Sequence, residues 1–156
     1  EAGINRVTRK YIYDFTNSEV DYKRSLDFSY LNYEIPVKGL IFIQLGEDFF
    51  MNNSLGVSLD FYASDVASGD IDLLQVTRRG QWAKLALEAN LGIEYRTRKA
   101  GIIYFGSTFH NPFSSVARSS VRYRTLAEEQ YVNFDLNAGY LTLDVKYYFH
   151  EGAQRK

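Results

Sequence analysis

Hydrophobic and polar positions alternate over the run Tyr140-Leu-Thr-Leu-Asp-Val-Lys-Tyr-Tyr-Phe149. Leu141, Leu143, Val145, Tyr147 and Phe149 share one parity, and Tyr140, Thr142, Asp144, Lys146 and Tyr148 the other. Successive side chains of a strand point to opposite faces, so this run predicts a strand with one greasy and one charged face. A stronger pattern covers 83–95. Its odd positions read Ala83, Leu85, Leu87, Ala89, Leu91, Ile93 and Tyr95, and its even positions carry Lys84, Glu88, Asn90 and Glu94. A helix would put Leu85, Glu88 and Gly92 on one stripe, which makes no amphipathic face, so the run reads as a strand. At ~3.3 Å per residue, ~13 residues span ~43 Å, or ~33 Å when tilted by ~40°. That exceeds the ~25 Å apolar band of an outer-membrane barrel, whereas strands of soluble folds average ~5–6 residues.

Shorter runs repeat the theme. Tyr11, Tyr13 and Phe15 alternate with Lys10, Ile12 and Asp14; Leu26, Phe28 and Tyr30 with Asp27 and Ser29; Val57, Leu59 and Phe61 with Ser58, Asp60 and Tyr62; Val132, Phe134 and Leu136 with Asn133 and Asp135. Val121 and Tyr123 alternate with Arg122 and Arg124, and 71–76 is a short strand or part of a loop. The segments 40–45 and 101–109 are apolar on both parities, which leaves their faces open. Asn137-Ala138-Gly139 sits between two alternating runs, where Gly139 can supply the positive φ of a tight hairpin. Arg98-Lys99-Ala100-Gly101, Asn52-Asn53-Ser54 and Arg78-Arg79-Gly80 mark three further turns, and 64–70 and 126–130 read as polar loops. No βαβ spacing occurs. The count is eight to ten strands, and the domain reading is a barrel over 1–149 with a polar tail over 150–156.

Alternation alone does not say which face is inside. A lipocalin-like soluble barrel turns its apolar face inward, and a membrane barrel turns it to lipid. The long 83–95 run, the aromatics Tyr95, Tyr147 and Phe149 near strand ends, and charges of both signs at mid-strand favour lipid. On that reading Leu85, Leu87, Leu91, Ile93, Leu141, Leu143 and Val145 face the bilayer. Tyr95, Tyr147 and Phe149 form an aromatic girdle. Lys84, Glu88, Glu94, Asp135, Asp144 and Lys146 form a polar network in the lumen, which the residues themselves explain as a structural ion-pair network including Arg96. The expected fold is all-β: a closed, antiparallel, up-and-down transmembrane β-barrel of eight strands, with ten as the alternative. Eight strands leave an interior filled by side chains, which argues against a general porin.

The composition adds limits. One domain is expected from 156 residues. A net charge of −1 provides no basic field for nucleic acid. Aromatic residues reach 16% with 13 Tyr and 11 Phe, a load of rings suited to strand surfaces and membrane boundaries. Only 2 Pro interrupt backbone pairing, and the absence of Cys rules out disulfides and thiolate metal sites. No apolar run approaches the ~18 residues of a transmembrane helix. A mean hydropathy of −0.30 looks soluble, yet barrels also score polar because half of each strand faces the lumen. The start at Glu1, without Met or an apolar leader, leaves open a removed signal peptide or a removed upstream domain.

The chain resembles the small outer-membrane β-barrel proteins of Gram-negative envelopes, those of Bacteroidota most. The likeness lies in Leu-Asp-Val-Lys-Tyr-Tyr-Phe-His at 143–150, with Phe149 in the place of the terminal aromatic, and in Phe-His-Asn-Pro-Phe at 109–113. The polar tail after Phe149 departs from the pattern, because the assembly signal is then not strictly terminal. The resemblance implies a bacterial outer-membrane location, contact with outer-membrane lipid, and a structural or accessory role beside other envelope proteins. The alternatives are a small-solute pore and a soluble lipocalin-like ligand carrier.

Candidate chemistry is sparse. Outer-membrane lipid A deacylases carry His-x-Ser-Asn, whereas His110 is followed by Asn111-Pro112-Phe113. Ser107 falls on the face opposite His110, and Ser114 or Ser115 approaches it only if 111–112 turns. His110 is therefore read as a loop or strand-end histidine hydrogen-bonded in an aromatic rim, and no catalytic residue, metal ligand or cofactor is expected. Arg78-Arg79, Arg96 to Lys99, and Arg118, Arg122 and Arg124 are read as solvated turns or partners of Glu128 and Glu129, with lipid phosphate as the sharper alternative. Phe49-Phe50-Met51 is an apolar cluster at a turn, fit for the interface or for packing.

Overall fold

The computed structural model describes residues 1–17, 22–62, 64–69, 72–97, 101–124 and 129–149. Among them the fold is all-β, with no helix and with every strand pair antiparallel. The strands are β1 (Asn5–Asn17), β2 (Tyr22–Gln44), β3 (Phe49–Tyr62), β4 (Val66–Gly69), β5 (Leu73–Arg79), β6 (Ala83–Thr97), β7 (Gly101–Pro112), β8 (Ala117–Arg124), β9 (Glu129–Leu136) and β10 (Tyr140–Tyr148). They form two sheets. One is six-stranded and curled into a half-barrel, in the order β1-β2-β3-β6-β7-β10; the other is four-stranded, in the order β4-β5-β8-β9.

The chain crosses between the sheets four times: β3 leads to β4, β5 to β6, β7 to β8 and β9 to β10. The expected turn at 137–139 is therefore a corner, since β9 and β10 lie in different sheets. Gly139 takes no positive φ there; a Cβ on it would lie 2.7 Å from Asn111 Oδ1, so close approach accounts for the glycine. The expected turn at 78–80 is likewise the end of β5 leading into the β5–β6 corner. Asn52-Asn53-Ser54 is no turn either. It lies inside β3, and the chain reverses just before Phe49, where the Leu45 amide donates to the Phe49 carbonyl. Part of the expected 64–70 loop is strand β4, and Glu129 and Gln130 belong to β9. The β6–β7 hairpin lies where it was expected, with Thr97 opposite Gly101 and Gly101 at φ 107°. The tail 150–156 lies outside the described residues.

The core sits between the four-stranded sheet and the outer half of the β1–β2 hairpin. Phe28, Tyr30, Tyr62, Val116, Ala117, Leu136 and Ala138 form one buried cluster, and Leu73, Val121 and Tyr123 a second. Tyr11, Tyr13, Phe15 and Leu26 complete it, with Tyr11 stacked on Phe28 and Phe15 tilted against Tyr123 at 4.8 Å. This is an aqueous-style core, apolar inside and polar outside.

The rest of the molecule is reversed. On β2 the even positions from Leu26 to Lys38 face inward, apolar at Leu26, Phe28 and Tyr30, then polar at Asn32, Glu34 and Lys38 with Pro36 among them; beyond these, Leu40, Phe42 and Gln44 are exposed. The odd positions face outward, polar at Lys23, Ser25, Asp27 and Ser29 and apolar at Tyr33, Ile35, Val37, Ile41 and Ile43. One continuous strand thus swaps the polarity of both faces within the turn of sequence from Tyr30 to Tyr33. β3, β6, β7 and β10 carry the reversed sense: Leu55, Val57, Leu59, Leu85, Leu91, Ile93, Phe105, Leu141, Leu143 and Val145 cover the convex side. Leu91 is 67% and Leu143 76% exposed, so this is bare aliphatic surface.

Candidate functional site

The concave face of the half-barrel holds a buried charge cluster fed by all six strands of the sheet. Strand register builds it. Lys38, Gly56, Glu88, His110 and Tyr140 stand opposite one another across β2, β3, β6, β7 and β10, and Glu34, Asp60 and Lys84 form a second row on the same face, separated from the first by Pro36, Ser58, Ala86 and Pro112. Gly56 is needed at its place, because a Cβ would lie 2.6 Å from Lys38 Cα and 2.1 Å from the Val37 carbonyl oxygen. Lys38 then reaches past it to donate to Glu88 Oε1 at 2.7 Å.

His110 is the hub, fully buried in β7. Its Nε2 lies 2.9 Å from Asp60 Oδ2 and 3.7 Å from Glu34 Oε1, and its Nδ1 3.6 Å from Glu88 Oε2. Its ring stacks on Tyr140 at 4.7 Å. Tyr140 donates its hydroxyl to Glu34 Oε2 at 2.7 Å, and Arg9 of β1 donates to Glu34 Oε1 at 3.0 Å and to Asn32 Oδ1. Ser58 donates to Asp60 Oδ1 at 2.7 Å. Three carboxylates, Glu34, Asp60 and Glu88, thus meet two basic side chains, Arg9 and Lys38. His110, lying between them, is the group able to carry the balancing charge.

The ligand atoms of Glu34, Asp60 and His110 lie within 4.8 Å of one another, close enough to hold a metal ion in principle. Their oxygens are already engaged, though: Glu34 by Arg9, Asn32 and Tyr140, and Asp60 by Ser58 and His110. A cation would have to displace Arg9, so the donor set fits a hydrogen-bonded network better, in which His110 Nδ1 and Glu88 Oε2 remain buried 3.6 Å apart without a hydrogen bond. Ser58 donates to the carboxylate and not to the histidine, so no serine–histidine pair exists here. Ser114 and Ser115 do not approach His110 either. Asn111 and Pro112 are strand, and Lys84 donates to Ser114 Oγ at 3.1 Å and to the Ser115 carbonyl.

Of the residues expected in a lumen network, Glu88 alone joins this cluster. Asp144 belongs to a second group further along the concave face, taking hydrogen bonds from Thr108 and from Asn90 at 3.2 Å. Tyr104 donates to Asn90 Oδ1 at 2.6 Å, and its ring lies over Gly92 and Gly106, where a Cβ would come within 2.3 Å and 2.1 Å of it. Lys146 sits 5.1 Å above the same ring. Glu94 accepts from Asn52 at 2.7 Å and from Arg96 at 2.8 Å, and Arg96 packs 3.9 Å over Phe50. Lys84 is engaged at the β7–β8 corner. Asp135 is apart from all of these: it lies on β9 in the other sheet and pairs with Arg118 at 2.9 Å on an exposed face, holding that guanidinium above its ordinary pKa.

Leu85, Leu91, Ile93, Leu141, Leu143 and Val145 lie exposed on the convex face, with Leu87 half-buried among them. Tyr95 and Tyr147 fall in one cross-strand row, Phe49-Tyr95-Ile103-Tyr147, with Phe49 tilted against Tyr95 and Phe149 set edge-on to Tyr147, both at 4.9 Å. A second aromatic row at the opposite end joins Tyr33 to Phe61, and Trp82 packs tilted against Phe61 at 5.5 Å.

Sequence reasoning passed over Arg9, Glu34, Lys38, Asp60 and Tyr140 and placed His110 at a rim. The usable signal was the inward parity of β2, where Leu26, Phe28 and Tyr30 give way to Asn32, Glu34 and Lys38. Comparisons with protein-family models, with curated proteins and with solved structures find no match.

Proposed function

We propose that this chain is an integral outer-membrane protein, its half-barrel closed into a transmembrane β-barrel and its four-stranded sheet standing beyond the bilayer. The polarity inversion along β2 is the observation that carries this reading. A strand wet on both ends has no reason to exchange its apolar face from inside to outside, whereas a strand leaving water for lipid must do so. The two aromatic rows support it. Phe49 and Phe61 are twelve residues apart on β3. At ~3.3 Å per residue and ~40° of tilt, they lie ~30 Å apart along the membrane normal, a spacing suited to girdles on either side of the apolar band.

Closure belongs to the same proposal. Hydrocarbon offers no hydrogen-bond partners, so the free edges of β10 and of the inner half of β2 need strands beside them in a bilayer. The reading of eight strands for the closed barrel therefore takes two strands beyond the six of this sheet, and the alternative of ten takes four. A lumen filled by ion pairs and by Tyr104 favours a structural or accessory subunit of an envelope complex over a pore, and a cluster sealed from solvent favours no enzymatic role.

Electrophoresis of detergent-extracted protein with and without heating tests the barrel; an unchanged mobility, with the chain in the aqueous fraction, would refute it. Single cysteines carrying an environment-sensitive fluorophore test the boundary. Labels at Ile35 and Leu91 should be quenched by a lipid-borne quencher, and a label at Ser29 by a water-borne one.

A further inference from the structure

The outward face of the four-stranded sheet carries a shallow pocket of about 400 Å³ that the charge cluster and the barrel wall leave unused. It is lined by Leu74 and Val76 of β5, Ser120 of β8 and Tyr131 of β9, with three arginines, Arg78, Arg118 and Arg122. Arg78 of β5 is directly opposite Arg118 of β8. Like charges in that position destabilise a sheet unless something neutralises them. Asp135 pairs with Arg118, and Glu129 lies 3.5 Å from Arg122. Three guanidiniums against two carboxylates leave one positive charge over. It falls to Arg78, which has no ionic partner among the described residues. The Arg122 Nε is also buried without a hydrogen-bond acceptor.

We infer that this pocket binds the phosphate of an anionic lipid headgroup at the edge of the bilayer. The inference rests on the membrane reading above. Guanidinium forks match phosphate oxygens in geometry, and an anion between Arg78 and Arg118 turns their repulsion into a shared contact. Leu74 and Val76 decide between the two sources of phosphate. Apolar lining beside guanidiniums suits an amphiphile, and the apolar part gives nothing to a free inorganic ion. Position agrees as well. Arg78 precedes Trp82 of the outer aromatic row by four residues, at most ~13 Å of extended chain, which brings the arginines within reach of the headgroup layer.

The full chain purified in a neutral maltoside detergent tests this by native mass spectrometry against phosphatidylglycerol, phosphatidylcholine and inorganic phosphate. Phosphatidylglycerol should remain bound to the parent. Its retention should fall about tenfold in Arg78→Gln/Arg118→Gln, the size of loss that goes with a charge-assisted phosphate contact. Equal retention of the two lipids, or equal binding of inorganic phosphate, overturns the lipid assignment. Thermal unfolding supplies a second readout whose sign reverses. Without anionic lipid, Arg78→Gln should melt higher than the parent, because a repulsion is gone; with phosphatidylglycerol it should melt lower. A substitution that lowers the melting point equally in both conditions overturns the proposal. Partition of the parent without detergent reports separately on the membrane reading, so the two failures are distinguishable.

Discussion

The guanidinium of Arg9, on the first strand, lies 5.1 Å from the centre of the Tyr140 ring, on the last. Both side chains also bind Glu34, Arg9 at Oε1 and Tyr140 at Oε2. No ladder joins β1 to β10 among the described residues, and this triad, with the Tyr11 hydroxyl donating to the Asn137 carbonyl at 3.3 Å, links the two margins of the curled sheet in addition to the packing of Tyr11 and Tyr13 near Leu136 and Ala138.

Tyr140→Phe tests that tie with little change of shape. It keeps the ring over His110 and under Arg9 and removes one donor from a fully buried carboxylate. A lost hydrogen bond to a charged group should cost ~1.5–3 kcal/mol. Urea unfolding in lipid vesicles measures it, and Tyr140→Ala, which also loses the ring contacts, should cost more. Wild-type stability in Tyr140→Phe would mean that the Glu34 contact does not hold the margins.

His110 should matter through its charges and not through size alone. His110→Leu leaves Asp60 buried without its 2.9 Å partner, and breaking a buried pair in this way should cost ~3–5 kcal/mol. Asp60→Asn removes the stranded charge, so the double variant Asp60→Asn/His110→Leu should recover part of the loss. A double-mutant cycle on vesicle-bound protein reads the coupling; strictly additive losses would show that the two side chains act independently.

Much of the architecture was open to sequence reading, and the reasons for the rest are physical. Alternation placed Ala83 to Tyr95 and Tyr140 to Tyr148 on strands, because a period of two survives any tertiary context. It could not say which face is interior: Leu26, Phe28 and Tyr30 alternate just as 83–95 does, yet they pack into the core while Leu85, Leu91 and Ile93 lie exposed. The corner at 137–139 resembled a hairpin because a glycine that permits a turn and a glycine that permits close approach look alike in one dimension. His110 looked isolated because its partners Glu34, Asp60 and Glu88 are distant in the chain and meet it only through strand register.

Gly92 and Gly106 make a seat for Tyr104, and filling either should unseat the ring. A Cβ at Gly92 would stand 2.3 Å from the ring and one at Gly106 2.1 Å from its hydroxyl, far inside contact distance. Either alanine should therefore destabilise by ~1–3 kcal/mol, the usual range for overpacking. The penalty should shrink sharply in a Tyr104→Ala background, since the obstructed ring is then absent. Equal penalties in both backgrounds would locate the strain in the backbone, away from Tyr104.

The convex face provides the sharpest contrast between lipid and water. Leu91 is 67% exposed at mid-strand on β6, between the two aromatic rows. In a bilayer, Leu91→Arg moves a guanidinium into hydrocarbon and should cost ~2–4 kcal/mol. On a hydrated sheet the same change is a surface substitution, within about 0.5 kcal/mol of neutral. Ser29→Arg, on the outward face of β2 beyond the inversion, serves as the control and should be near neutral in either case. Unfolding free energies of both variants in the same vesicles decide it. A large loss at Leu91 with none at Ser29 puts the boundary between Tyr30 and Tyr33, whereas two small effects would leave the aliphatic surface in water and remove the reason for the inversion.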